Sequence, residues 1–296
     1  MPPLPYPLHG MMPASPTSAS RSQKQQPQEP QSEKPRPQPA KNKYDWSKAL
    51  TRKHVSTPED PYAFLRHFDT AFLIDDSAAM GNYWSQVGAL LDQIAPICTE
   101  HDRNGIDIYF VNHRPRGYLF HSLLGRGGDR AGYLHIGDVT GSPSMRDNVA
   151  GIFSGVRPRG RCRLGHRLSH ILDAYLDEIR RELRRRHKVR PLNLIVITAG
   201  VTDDDPVDTL TRTARRLDEM GAPPYQVGVQ FFRVGENEQA RRALEFADDG
   251  LAEAMDFRDM VDTVTWSGRP GELSADALLK VVLGAVERSI DKQEVQ

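Results

Sequence analysis

Asp75, Asp76 and Ser77 stand in a row directly after the apolar run Phe72-Leu73-Ile74. Two carboxylates and a hydroxyl at the end of an apolar strand are oxygen groups that such a strand end usually presents to a ligand. The next residues, Ala78 and Ala79, offer a ligand nothing. A second candidate stretch carries Arg157, Arg159, Arg161, Arg163 and Arg167 with Cys162 among them. Guanidinium groups pair with carboxylates, and a thiol among cations has a lowered pKa and nucleophilic character. No base for Cys162 is evident, and a lone cysteine is more often inert.

Three further patterns have bland readings that outweigh the chemical ones. Asp203, Asp204 and Asp205 resemble an ion site, but they precede Pro206, where capping and the helix dipole explain them. His166 and His170 have zinc-compatible spacing on one helix face, but "HRLSH" lacks the metalloprotease glutamate and a third ligand. The basic run Arg180 to Arg190 ends a helical pattern, where cations suit the dipole and a solvated face. "GRGGDRAG" has no strand before it and no helix after it, so it is not a phosphate-binding fingerprint. No Gly-x-Ser-x-Gly elbow is present.

The elements that position these residues alternate between strand and helix. "TAFLI", "IDIYFVN", "LNLIVIT" and "YQVGVQFFRVG" read as strands, the last two apolar enough to be buried on both faces. Trp84, Val87, Leu91, Ile94 and Cys98 recur at helical spacing, as do Leu164, Leu168, Ile171, Tyr175, Ile179 and Leu183. "RDNVAGIFSGV" predicts a short helix, and residues 205–221 a helix with Asp205 as cap, Pro206 at its first position and Gly221 as stop. Helical patterns follow at Glu236–Asp249 and Ser274–Ser289, while Pro115–Pro143 reads as a long loop or weak hairpin. The order predicts a doubly wound, mostly parallel α/β sheet with helices on both faces. Such a sheet binds ligands beyond the carboxyl ends of its strands, which gathers Asp75–Ser77, the loop after Val156 and the loop after Thr198 on one edge.

Composition limits the function classes. The 296 residues carry 39 basic and 39 acidic side chains, so bulk charge favours neither nucleic acid nor a membrane surface. Two distant cysteines, Cys98 and Cys162, make no disulfide framework, and no apolar run approaches the roughly 20 residues of a membrane span. The expected setting is cytoplasmic or nuclear. Eleven of the 22 prolines precede residue 40, in a Pro/Gln-rich stretch with little to bury. Residues 1–58 are therefore expected to form a disordered tail and residues 59–291 the folded domain.

The motifs together resemble the von Willebrand factor type A domain. "FLIDDSAAM" is similar to its first strand and Asp-x-Ser-x-Ser loop, "VRPRGRCRLGHRLSHIL" to its threonine loop, and "IVITAGVTDDDP" to its Thr-Asp-Gly segment. "GVQFFRVGENEQARRALEFADDGL" and "DMVDTVTW" are similar to later segments of fungal members. The resemblance covers about residues 65–290 and implies a Rossmann-like sheet with a magnesium-dependent adhesion site. Asp75 and Ser77 match two of that site's oxygen donors. Ala79, Cys162 with Leu164, and Ala199 fall where the remaining three are expected.

One carboxylate and one hydroxyl make a poor cage for an ion that demands near-octahedral oxygen coordination. The expectation is thus a non-catalytic protein-binding module with a degenerate metal site and no cofactor. Arg161 or Arg163 is expected to replace the missing charge beside Asp75 or Asp76 and to favour an acidic partner. Three alternatives remain. One is a water-completed magnesium site on Asp75 and Ser77; another is an enzyme rebuilt on the same edge around Cys162 or the aspartates. The third and weakest is nucleic-acid binding through the arginine runs, against which zero net charge and the absence of a recognised motif speak.

Overall fold

The computed structural model describes residues 60, 62–102, 104–115, 131–137, 149–245, 258–266, 282 and 284. The expected N-terminal tail, most of the 115–143 segment and most of the 274–289 helical pattern lie outside these residues. Six described strands form one sheet: β1 (Asp69–Ile74), β2 (Ile106–Phe110), β3 (Tyr133–Ile136), β4 (Leu192–Thr198), β5 (Val227–Val234) and β6 (Val261–Trp266). Their order is β3-β2-β1-β4-β5-β6, with every pairing parallel except the antiparallel β2–β3 edge. This is the doubly wound, Rossmann-like architecture expected from the alternating pattern.

Strand periodicity explains how the two faces differ. Phe110, Ile74, Ile197 and Phe232 are register partners across β2, β1, β4 and β5 and all enter one core layer. Their neighbours Tyr109, Leu73, Val196 and Phe231 form the matching row on the opposite face. Successive side chains point to opposite faces, so a continuous apolar run supplies both layers. Each fully buried Leu, Ile or Phe contributes roughly 1.5–3 kcal/mol, which makes these rows the main anchor of the sheet.

The first face packs against α1 (Trp84–His101) and α2 (Val149–Ser154). Trp84 stacks on Phe153 with ring centroids 4.1 Å apart. The second face packs against α3 (Leu164–Arg185) and α4 (Pro206–Glu219), and α5 (Glu238–Glu245) follows β5. α4 begins as expected, with the Asp205 carboxylate accepting from the Val207 N–H at 2.9 Å and Pro206 in the first turn. α3 ends on Arg186, whose φ of 63° is the left-handed conformation usually taken by glycine.

The basic run after α3 divides by role. Arg184 and Arg185 lie in the last helical turn, as the dipole reading expects. Arg190 instead ties the opposite edge of the sheet together. It donates to Asp69 at 2.6 Å and to Asp102 at 2.9 Å, and it also bonds the Phe68 carbonyl and Asn104.

Candidate functional site

β1 and β4 are neighbours in the sheet, and the chain leaves β1 for a helix on one face and β4 for a helix on the other, the switch point at which doubly wound sheets bind ligands. Asp75 extends the ladder, its N–H donating to the Ile197 carbonyl at 2.9 Å. Its side chain is fully buried, and three donors converge on it. Oδ1 accepts from the Ser77 N–H at 2.8 Å. Oδ2 accepts from the Thr198 hydroxyl at 2.9 Å and from the Cys162 thiol at 3.3 Å. Thr198 Oγ1 in turn accepts from the Gly200 N–H at 2.9 Å, and Gly200 makes that turn with φ of 82°. Its own hydrogen is thereby committed to Asp75. Ser77 Oγ is buried and has no hydrogen-bond partner.

Asp76 acts as a brace. Its carboxylate accepts from the backbone N–H groups of Asn112 at 2.7 Å and His113 at 2.9 Å. Burial raises its pKa; these N–H bonds oppose the rise. Its carbonyl accepts from the Arg159 N–H at 2.8 Å. The loops after β1, β2 and α2 are therefore laced by one residue.

Arg161 does not reach Asp75 or Asp76, which corrects the expected charge replacement. It pairs with Asp203 instead, with Nε 3.0 Å from Oδ1, and this bond lowers the Asp203 pKa. Arg163 is exposed and supplies the turn into α3. Buried Asp75 is satisfied by neutral donors, which can stabilise a carboxylate as well as a cation does when several converge. Arg157 and Arg159 are exposed, whereas Arg167 is 1% exposed. Arg167 lies inside α3, donating to the Phe110 carbonyl at 3.0 Å and lying 5.4 Å from the Tyr109 ring centroid.

The arginines do not activate Cys162. The thiol is 3% exposed, and its pKa is pushed up, first by burial and then by the charge of Asp75. It is a hydrogen donor to a carboxylate, the opposite of a nucleophilic thiolate. Ala199 is buried in the first core layer and Leu164 in the second, while Ala79 is exposed. None of these side chains brings an oxygen to the site.

The three aspartates have three separate tasks. Asp203 accepts from the Cys162 N–H at 2.8 Å and returns its own N–H to the Cys162 carbonyl at 2.7 Å. Asp204 caps α3 from another part of the chain, accepting from Gly165 N–H at 2.9 Å and His166 N–H at 2.7 Å. Asp205 caps its own helix α4. Gly165 permits this approach, since a Cβ there would lie 2.6 Å from the Asp205 carbonyl oxygen. His166 and His170 are neighbours, with ring centroids 4.2 Å apart. Among the described residues no group of three His, Cys, Asp or Glu is placed to hold a metal ion.

Sequence reasoning missed Thr198, Asn112 and the cross-chain role of Asp204. Thr198 ends an apolar strand at the level of Asp75, and that shared level was the available signal. Asn112 donates to the Arg159 and Arg161 carbonyls at 3.1 and 3.0 Å, and nothing local marks it for that task.

No helix among the described residues is long and apolar enough to cross a membrane. No protein-family model matches the chain, and no curated protein matches it. Among solved structures, the pilus adhesin SpaC from Lactobacillus rhamnosus GG, in its open conformation, aligns over 76% of this chain at 12% identity and a TM-score of 0.40. The alignment spans 30% of that adhesin's length, a faint likeness that assigns no function.

Proposed function

We propose that this chain is a non-catalytic protein-interaction module of the von Willebrand type A kind, with a lapsed metal site and a partner-binding edge above Asp75. The observation that carries the reading is the traffic of hydrogens at Asp75. An amide, a hydroxyl and a thiol all point their hydrogens at its carboxylate. A magnesium ion needs lone pairs facing a common centre. Ala79 and Ala199 remove two further donors, and Cys162 replaces a hydroxyl with a soft, protonated sulfur. The residues present do not fit the ion.

Ser77 Oγ, buried and without a partner, favours a second reading: a weak magnesium site on Asp75 and Ser77 completed by water. An enzyme centred on Cys162 has less support, because the thiol is buried, protonated and bonded to an acid instead of a base.

The test is capture of partners from an extract of the source cells by the immobilised chain, in EDTA and in magnesium. The proposed reading expects equal capture in both buffers and loss of capture with Arg161→Glu plus Arg163→Glu. Capture that needs magnesium supports the second reading, and capture indifferent to the charge reversal removes this edge from the interaction.

A further inference from the structure

Three loops are sewn together above the buried carboxylates. The Ala78 N–H donates to the Gly160 carbonyl at 3.0 Å, and the Arg159 N–H donates to the Asp76 carbonyl at 2.8 Å. Asn112 holds the Arg159 and Arg161 carbonyls, and Asp203 holds both backbone groups of Cys162. The backbone of residues 159–162 is thereby fixed from below at every second bond or better. Its arginine side chains have only the solvent side left to occupy.

Several exposed arginines sit against carboxylates, Arg185 with Glu182 at 3.0 Å, Arg212 with Asp208 at 2.7 Å and Arg241 with Glu238 at 2.5 Å, while Arg181, Arg184 and Arg186 at the end of α3 form no ion pair among the described residues. In the fixed loop only Arg161 has such a partner, Asp203. Arg157 and Arg159 are exposed and form no ion pair among the described residues, and exposed Arg163 forms none either, although its charge helps to lower the Asp203 pKa. The other carboxylates of this edge are engaged: Asp75 and Asp76 inside the loops, Asp204 on the end of α3. On the loop whose Asp203 bonds Arg161 and Cys162, Val201 is 47% exposed, the one exposed large apolar side chain among the described residues. Ala78 and Ala79 are exposed on the adjoining loop.

We propose that Arg157, Arg159 and Arg163, with Val201 and Ala79 beside them, form a metal-free dock for an acidic peptide segment that carries an apolar side chain between its carboxylates. This rests on the interaction-module reading and names its partner's chemistry. Guanidinium forks recognise carboxylates bidentately, and a preorganised backbone spares the ordering cost of binding. An apolar centre within a charged rim is the ordinary anatomy of an interface. A nucleic-acid strand fits less well, since single strands are held by stacking on aromatic side chains. At this edge Tyr83 and Trp84 are packed against the first core layer.

The experiment uses the full chain and fluorescein-labelled peptides, read by anisotropy in EDTA. The probe is a nine-residue peptide alternating glutamate with leucine. Comparison probes replace glutamate by glutamine, replace leucine by serine, or substitute a thymidine oligonucleotide. The expected result is binding of the acidic–apolar probe, weaker binding of both altered peptides, and weakening with salt. Arg157→Glu with Arg159→Glu and Arg163→Glu should reduce affinity about tenfold or more, as three lost partly exposed charge pairs imply. Val201→Asp should also weaken binding. Arg181→Glu with Arg184→Glu, at the far end of α3, should leave it within about twofold of wild type.

The proposal is overturned if no peptide binds, if the loop reversal has no effect, if the α3 control loses as much, or if the oligonucleotide binds tighter than the peptide. Metal-free binding that ignores the loop reversal sinks this inference alone. Binding that appears only when magnesium replaces EDTA sinks the lapsed-metal reading with it.

Discussion

Restoring the missing oxygens tests the central argument in both directions. The perturbation is Ala79→Ser, Cys162→Thr and Ala199→Asp in one chain. Ala199 follows Thr198, whose hydroxyl already touches Asp75 Oδ2 at 2.9 Å, and Ala199 is 6% exposed. Neighbouring strands lie about 5 Å apart, so the new carboxylate would sit roughly that far from Asp75. At an effective dielectric of about 20, two such charges repel by about 3 kcal/mol. Without metal the variant should therefore be less stable than the natural chain by about that amount. Magnesium should reverse the loss. At about 100-fold over its dissociation constant, a ligand adds about 2.7 kcal/mol, and for a domain of this size each kcal/mol moves Tm by about 2–4 °C. Thermal melts in EDTA and in magnesium should show the variant rising by about 5–10 °C while the natural chain stays nearly still. A natural chain stabilised as much as the variant at sub-millimolar magnesium would refute the reasoning, and water on Asp75 and Ser77 would then be completing the site.

Other consequences are equally direct. Asp204→Ala removes two capping bonds from α3 and should destabilise by about 1–2 kcal/mol in urea unfolding, with Asp204→Asn costing less. Arg186→Gly relieves a left-handed residue at the α3 terminus and should stabilise by about 0.5–1 kcal/mol in the same assay. Burial raises the Cys162 thiol pKa, so iodoacetamide at neutral pH should label it at least tenfold more slowly than a free thiol, with rapid labelling appearing only on unfolding. Burial also raises the Asp102 carboxyl, against the opposing Thr70 N–H and Arg190. The folded state then holds that proton more tightly than the unfolded chain, so Asp102 contributes stability below about pH 4 that is lost as pH rises through its raised pKa. Asp102→Asn should flatten that part of a Tm-versus-pH curve, and an unchanged slope would show that another group carries it.

Local physics was readable without coordinates. β1, β4 and β5 announced themselves because a strand buried on both faces must be apolar at every position. Asp205 and Pro206 announced α4 because a cap acts within two residues of itself. The edge that gathers Asp75, residues 157–163 and the loop after Thr198 followed from the βα alternation, since a parallel sheet collects its strand ends on one side. Partner choice at that edge did not follow. Asp75 meets Thr198 and Cys162, and Asp204 meets Gly165, across separations of 123, 87 and 39 residues. Arg161 was expected on Asp75 or Asp76 and instead pairs with Asp203, on the loop after β4. Cys162 looked activated while its neighbours in sequence were arginines; folding turned it inward to a carboxylate, and the sign of its shift reversed. Residue type and spacing determine which elements form and which chemical groups they carry. Only the packed tertiary structure decides which charges face each other, because electrostatic and hydrogen-bond energies depend on distances that the order of residues does not contain.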